Sequence, residues 1–360
     1  MGKEVHVVVG ARPNQMKAAP LLRILRNSSD FIPILVDTGQ HYDHEMAGIF
    51  FEQFGMGTPD IALNVGSGSH GKQTANILER YEAVLQQKHP DCVIVIGDVN
   101  STVACSLAAT KLGIPTVHLE AGLRSNDRSM PEELNRIVTD HLCDLLWTPS
   151  PDGDENLANE GISKNKIVRV GNIMIDTLVQ MEPLFRARNM KEELGIIQTH
   201  LVVTLHRPSN VDDGSVLSLI LDQLYNLADQ HILVWPIHPR TKLRIESYGL
   251  QSYLDHQNIR CVPPLGYIEF MSLVASSNGV ITDSGGIQEE TTYLGIPCLT
   301  VRPNTERPIT ITEGTNQLIS PPEIIGKSST FNFENANRPS IELWDGHTAE
   351  RCVESLKQLL

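Results

Sequence analysis

The chain lacks a basic excess. Among its 360 residues, 29 lysines and arginines stand against 43 aspartates and glutamates, a formal charge of −14. That balance excludes a general polyanion binder, which needs a basic surplus or stripe, but leaves room for a local basic pocket holding one small anion. The six cysteines, Cys92, Cys105, Cys143, Cys261, Cys298 and Cys352, form no C-x-x-C pair and keep no regular spacing. Most lie in apolar runs such as CVIVIG and PCLTV, so reduced thiols are expected rather than a disulfide scaffold. No apolar run approaches the roughly 20 residues that span a bilayer. The start, Met1-Gly2-Lys3-Glu4 running into HVVVG, has too short a core for a signal peptide and reads as a first strand. A soluble cytoplasmic protein with neither a membrane nor a nucleic-acid partner is expected. No Walker A loop and no G-x-S-x-G elbow occurs, and the first strand runs into Gly10-Ala11-Arg12-Pro13 rather than into G-x-G-x-x-G. NTPase, α/β-hydrolase and dehydrogenase readings lose their main supports.

What the chain does have is rhythm. Its length exceeds what one growing core accommodates, so two domains are expected. Short β-branched runs alternate with longer helical stretches, the pattern of a parallel α/β sheet. In the first half, strands are predicted at Val5–Val9, Ile32–Val36, Cys92–Ile96, Thr116–Leu119 and Asp144–Trp147, with helices between them that include one around His44–Phe54. The second half restarts the pattern at Leu201–Leu205, Ile232–Pro236, Ile259–Val262, Gly279–Thr282 and Cys298–Val301. A polar loop at Asn332–Pro339 precedes an amphipathic C-terminal helix. The expected fold class is α/β, with two doubly wound Rossmann-like domains facing a central cleft. The first covers residues 1–170, the second 171–345, and a helix over 346–360 returns to the first.

Ligands of such sheets bind beyond the carboxyl ends of the strands. Those ends are unusually rich in ionisable residues: Gly97-Asp98, Glu120-Ala121-Gly122, His206-Arg207 and Asp283-Ser284-Gly285-Gly286 each follow an apolar strand. The last opens a helix whose free N–H groups suit a phosphate, and Glu289 and Glu290 follow it. An equally good local reading is that Asp283 or Ser284 merely caps that helix. Asp98 has the same alternative as an N-cap worth ~1 kcal/mol. His118 and Glu120 share a strand face, but a third metal ligand at supporting spacing is missing, so no metal is expected. Glu132 and Glu133 after Pro131 make an ordinary helix opening. His206 is equally readable as an acid–base group or as a structural histidine. Arg12, Lys17, Arg124, Arg136, Arg207, Arg240, Arg302 and Arg307 together suggest a phosphate-binding cleft in an acidic protein.

At these same residues the chain resembles the non-hydrolysing UDP-N-acetylglucosamine 2-epimerases, of the wider two-Rossmann glycosyltransferase-B-like group. The stretches that carry the resemblance are GARPNQMKAAPL, DTGQHYDHEM, IGDVNSTVACSLAA, HLEAGLRSNDRSMPEELNRIVTDHL, VTLHRPSN and TDSGGIQEETTYLGIPCLTVRPNTERPITITEGTN. The resemblance implies reversible inversion at C2 of a UDP-linked acetamido sugar, by anti elimination of UDP and re-addition through a 2-acetamidoglucal. It implies no cofactor, and a homodimer. By matching position, Asp98, Glu120 and Glu132 fall on the catalytic carboxylates and His206 on the essential histidine near the diphosphate. Arg12, Ser284, Gly285 and Gly286 match phosphate contacts, Glu290 the ribose-binding carboxylate, and Phe270 the uracil-side loop. Lys17, Arg136 and Arg307 match basic positions that line the cleft.

The departures concern a second substrate site that activates some bacterial members. Gln40, Arg207 and His238 match it, but Asp43 stands where a glutamine is usual and Lys72 where an arginine is. Hyperbolic kinetics are expected. The loop Arg124–Pro131 is also shorter than in the best-known bacterial members. The competing readings are a 2-epimerase of a modified sugar such as UDP-2,3-diacetamido-glucuronate, a glycosyltransferase of the same fold, a hydrolysing epimerase, and a silent nucleotide-sugar binder.

Overall fold

A computed structural model describes residues 2–40, 53–329, 331 and 338–360. Asp43, nearly all of the expected helix at His44–Phe54, and most of the expected Asn332–Pro339 loop lie outside the described residues. The chain divides into two compact units, one of Met1–Thr177 with Glu342–Leu360 and one of Leu178–Ile341.

The first unit holds a seven-stranded, wholly parallel sheet in the order β3-β2-β1-β4-β5-β6-β7. Its strands are β1 (Lys3–Val9), β2 (Phe31–Asp37), β3 (Ile61–Ala62), β4 (Cys92–Ile96), β5 (Thr116–Leu119), β6 (Leu145–Thr148) and β7 (Ile167–Arg169). Strand β4 reads CVIVI and buries all five residues, as a parallel strand covered on both faces must. The C-terminal helix Thr348–Leu359 packs on the helix Arg12–Asn27. Buried Asp176 accepts the Thr348 and Ala349 N–H groups that open it (3.1 and 2.7 Å), and Trp147 Nε1 donates to Ser355 Oγ at 3.0 Å. A remote carboxylate thus supplies the cap that the helix's own sequence lacks.

The second unit carries a six-stranded parallel sheet in the order β10-β9-β8-β11-β12-β13. Its strands are β8 (His200–Thr204), β9 (Ile232–Pro236), β10 (Ile259–Val262), β11 (Val280–Thr282), β12 (Cys298–Val301) and β13 (Asn316–Ile319). A core of Leu201, Val203, Leu221, Leu224, Trp235 and Ile281 seals one face against the helix Gly214–Leu227.

Three strands, β3, β7 and β13, were not expected from the sequence, and all three are sheet edges. An edge strand has one neighbour and partial exposure, so it needs no continuous apolar run. Among the described residues no helix is long and apolar enough to cross a membrane, and all six cysteines are free thiols.

Candidate active site

Each sheet reverses its strand order once, between β1 and β4 in the first unit and between β8 and β11 in the second. Such switch points open a crevice at the strands' carboxyl ends. The ionisable strand ends fall on these two places.

In the first unit, the β4–β5 register pairs Ile96 with Leu119, which sets Gly97-Asp98 beside Glu120. Glu120 is buried (5% exposed) and has a left-handed backbone, φ +74°, which non-glycine residues rarely adopt. The Glu120 and Ala121 N–H groups both donate to the Trp147 carbonyl (3.1 and 3.0 Å), so the kinked backbone is held from behind. Its carboxylate forms an ion pair with the buried Lys17 ammonium. Asp98 is half-buried and takes Nη1 of buried Arg136. It does not cap the following helix, whose N-cap is Val99, so the capping alternative fails. Gly97 sits at φ +65°, where an added Cβ would lie 3.3 Å from Glu120 Oε2 and 3.5 Å from Lys17 Nζ. The left-handed backbone there favours glycine, and a side chain would also crowd Glu120 Oε2.

The two glutamates of the Pro131 helix part company. Glu133 is buried and accepts the Ser125 and Asn126 N–H groups (both 2.9 Å) and two Arg136 nitrogens. Burial opposes its charge, but these donors outweigh burial and hold the carboxyl below the usual range. It ties the Arg124–Pro131 loop to Arg136. Glu132, half-buried, enters none of these pairs. His118 is fully buried, with Nδ1 2.6 Å from Asp140 Oδ1 and Nε2 2.7 Å from the Gly97 carbonyl. Its ring is committed there rather than to a metal, and no group of three or more potential metal-ligating side chains forms among the described residues.

In the second unit, the β8–β11 register aligns Thr204 with Thr282, bringing His206-Arg207 beside Asp283-Ser284. Asp283 is fully buried and accepts the His206 and Arg207 N–H groups (3.0 and 2.8 Å) and Asn210 Nδ2 (3.1 Å). Its carboxylate therefore shapes the His206 turn instead of capping the helix. Ser284 is the N-cap of the helix Gly285–Leu294 by position, but its side chain makes no capping hydrogen bond and stays available. A Cβ at Gly286 would meet open space, while one at Gly285 would press on Arg307 Nη1 at 2.8 Å. His206 Nδ1 lies 3.2 Å from Asp283, and its ring is 5.6 Å from that of His238.

Arginines collect beside this helix start. Glu306 takes Arg302 Nη2 (2.9 Å) and Arg307 Nη1 (2.5 Å), with Arg207 at 4.0 Å, and Arg307 Nε reaches Glu289 (2.9 Å). Burial works against the Glu306 charge, but Arg307, Arg302 and Arg207 outweigh it and hold the carboxyl well below the usual range. Glu290 shows the opposite. It is fully enclosed, and burial, reinforced by Glu289 and opposed by Tyr267, pushes its carboxyl up to about 8. Its buried Oε1 has no hydrogen-bond partner among the described residues.

The remaining expected residues are scattered. Phe270 is half-buried on the helix Tyr267–Ala275. Arg12 opens the helix after β1, with its side chain outside the described residues. Gln40 is buried and accepts Ser101 Oγ (2.8 Å), Lys72 is exposed on the helix His70–Lys88, and His238 caps Pro239–Ser247 by accepting Arg240 N–H (3.1 Å). One G-x-G-x-x-G pattern does occur, at Gly66, Gly68 and Gly71. It follows edge strand β3 rather than the switch point, and Gln73 folds back onto the Gly66 carbonyl (3.0 Å). Asp140 and Glu306 carry no signature in the sequence beyond being acids within basic motifs, and Glu133 reads there only as part of a helix opening; in the structure each holds an arginine.

The profile described as UDP-N-acetylglucosamine 2-epimerase matches residues 23–357. A UDP-N-acetylglucosamine 2-epimerase homolog of Methanococcus maripaludis is 39% identical over 362 residues, covering 99% of this chain and 100% of its own. A UDP-2,3-diacetamido-2,3-dideoxy-D-glucuronate 2-epimerase of Pseudomonas aeruginosa is 37% identical, covering 99% and 100%. The solved structure of Methanocaldococcus jannaschii UDP-GlcNAc 2-epimerase, in complex with UDP-GlcNAc and UDP, is similar at TM-score 0.90 and 36% identity, covering 99% of both chains.

Proposed function

The chain belongs to the UDP-N-acetylglucosamine 2-epimerase family, and on that premise we propose that it interconverts UDP-N-acetylglucosamine and UDP-N-acetylmannosamine by inverting C2. The C2–H bond is not next to a carbonyl, so direct proton removal is very costly. Breaking the C1–O bond gives C1 cationic character and acidifies C2–H. A carboxylate then takes that proton as UDP leaves anti to it, and a C1=C2 double bond forms in 2-acetamidoglucal. In return, a carboxyl protonates C2 on the other face while the UDP oxygen rejoins C1.

In this reading Asp98, Glu120 and Glu132 serve as the acid–base groups and stabilise charge at C1. His206, Arg12, Arg307 and the N–H groups at Ser284, Gly285 and Gly286 receive the diphosphate, and Glu290 receives the ribose hydroxyls. Phe270 flanks the uracil, and Lys17 and Arg136 hold Glu120 and Asp98 in orientation. Gln40, Lys72, Arg207 and His238 are what is left of a second substrate site, and the enzyme acts as a cytoplasmic homodimer. The observation that carries the reading is the pairing of Glu120 with buried Lys17 and of Asp98 with Arg136 at one switch point.

The test is incubation with UDP-N-acetylglucosamine alone in deuterated water, followed by NMR. A mixture of two UDP-sugars with deuterium at C2 is expected. Free sugar plus UDP would instead mark a hydrolysing enzyme, and no reaction without an acceptor a transferase. The Pseudomonas relative supports a second reading, a 2-epimerase of a diacetamido uronate sugar. In a substrate panel, the sugar that gains deuterium fastest decides between them.

A further inference from the structure

Around Asp98, three successive carbonyls are each gripped by side chains from other parts of the first unit. The Ile96 carbonyl accepts Asn14 Nδ2 (2.9 Å) and Thr102 Oγ1 (2.8 Å), the Gly97 carbonyl faces His118 Nε2 (2.7 Å), and the Asp98 carbonyl accepts Asn135 Nδ2 (2.9 Å). The Gly97 N–H in turn donates to the Leu119 carbonyl at 3.0 Å. Backbone beyond a strand end usually satisfies its carbonyls with water. Here the peptides on both sides of Asp98 are over-determined, and His118 is the one side chain among these grips that is able to carry charge.

We infer that His118 carries protons on both ring nitrogens and, as an imidazolium, is the positioning residue that fixes the Gly97–Asp98 peptide. A carbonyl oxygen has no proton to give, so Nε2 must donate to Gly97. At the other end, Asp140 Oδ1 lies 2.6 Å from Nδ1, while its Oδ2 takes the Arg124 guanidinium at 2.7 Å and the Gly122 N–H at 3.1 Å. An acid holding those donors is ionised and has no proton to offer either, so Nδ1 donates as well. A neutral imidazole has one N–H, and two are required. The charges close: His118 and Arg124 are balanced by Asp140 and by Glu160, which takes Arg124 Nε and Nη2 (2.7 and 2.8 Å). A buried cation without that balance is costly, and with it the imidazolium–carbonyl bond is a strong charge-assisted one. The consequence for chemistry rests on the acid–base role proposed for Asp98, because a carboxylate displaced by about 1 Å loses much of its effect.

Two measurements on the full chain test this. With 15N-labelled histidine, side-chain NMR at neutral pH is expected to show His118, assigned by its absence in His118→Gln, with both nitrogens protonated. A singly protonated ring overturns the inference. In kinetics, the longer amide of His118→Gln can still donate to the Gly97 carbonyl, whereas the shorter one of His118→Asn reaches only toward Asp140. We expect His118→Asn to lower kcat on the order of 100-fold with KM and UDP affinity little changed, and His118→Gln to stay within about fivefold of wild type. Equal kcat losses in two variants of equal Tm overturn the positioning role. If His118→Asn fails to fold, the NMR result on the wild type decides. Should the wild type turn over no UDP-sugar, the functional reading fails, and the protonation measurement still decides the His118 assignment.

Discussion

At the switch point of the first sheet, acids are tied to cations: Glu120 to Lys17, and both Asp98 and Glu133 to Arg136. At the switch point of the second, three arginines crowd one deeply ionised glutamate, Glu306, beside a helix start with open space above Gly286. The first arrangement holds its acids in fixed orientations and leaves Asp98 partly accessible. The second concentrates guanidinium donors beside the start of the helix Gly285–Leu294. Two sheets of the same architecture thus carry different charge arrangements past their strand ends: two cations among several acids in the first, and three arginines knitted to Glu306 and Glu289 in the second. In the proposed reaction this is a division of labour: proton transfer falls to the first unit, and the leaving diphosphate to the second.

That contrast is easiest to break at the acids. Asp98→Asn, Glu120→Gln and Glu132→Gln are each expected to lower C2 exchange by roughly 10²–10⁴-fold while UDP affinity, measured by calorimetry, is retained. A variant with near-normal turnover loses its assigned role, and one that loses UDP binding instead blurs the division. Glu290→Ala should do the reverse, weakening UDP binding by about 1–3 kcal/mol through the lost hydrogen bonds. An unchanged dissociation constant would remove Glu290 from the nucleotide site.

A smaller effect concerns stability. The folded Glu290 carboxyl keeps its proton up to about pH 8, against 4.5 for an ordinary glutamate. Between those values the folded state is the proton-richer one, so stability falls as pH rises through the interval and levels off above it. Glu290→Gln removes that contribution. Its unfolding free energy, from denaturant titrations, should therefore decline less than the wild type's between about pH 5 and about pH 8.5, by up to about 4 kcal/mol. Parallel profiles would show that the carboxyl is ionised in the fold. The smallest expected effect is none at all: with Lys72 and Asp43 at altered second-site positions, initial rates should follow a hyperbola. A Hill coefficient well above one would restore the second site.

The central strands of both sheets were legible because burial on both faces forces continuous runs such as CVIVI and HLVVT. The edge strands β3, β7 and β13 were not, since a half-exposed strand carries no such run. The candidate residues at the strand ends were also readable, but their bland alternatives were not separable from sequence. An aspartate before a helix looks the same whether it caps or not. Only the fold shows that Asp283 turns to the His206 loop and Asp98 to Arg136, and that Ser284 is left uncapping. Likewise Glu132 and Glu133 are adjacent acids on paper, and only the Arg124–Pro131 loop folding over Glu133 distinguishes them.

The sequence by itself determined the α/β class, the run of ionisable strand ends and the family resemblance, because apolar periodicity and short motifs are local properties of the chain. The tertiary structure alone decided which charges meet. Strand register and sheet order bring together residues as far apart as Lys17 and Glu120, or Asp98 and Arg136. The strength of an ion pair depends on distance and burial, neither of which is written in the local sequence.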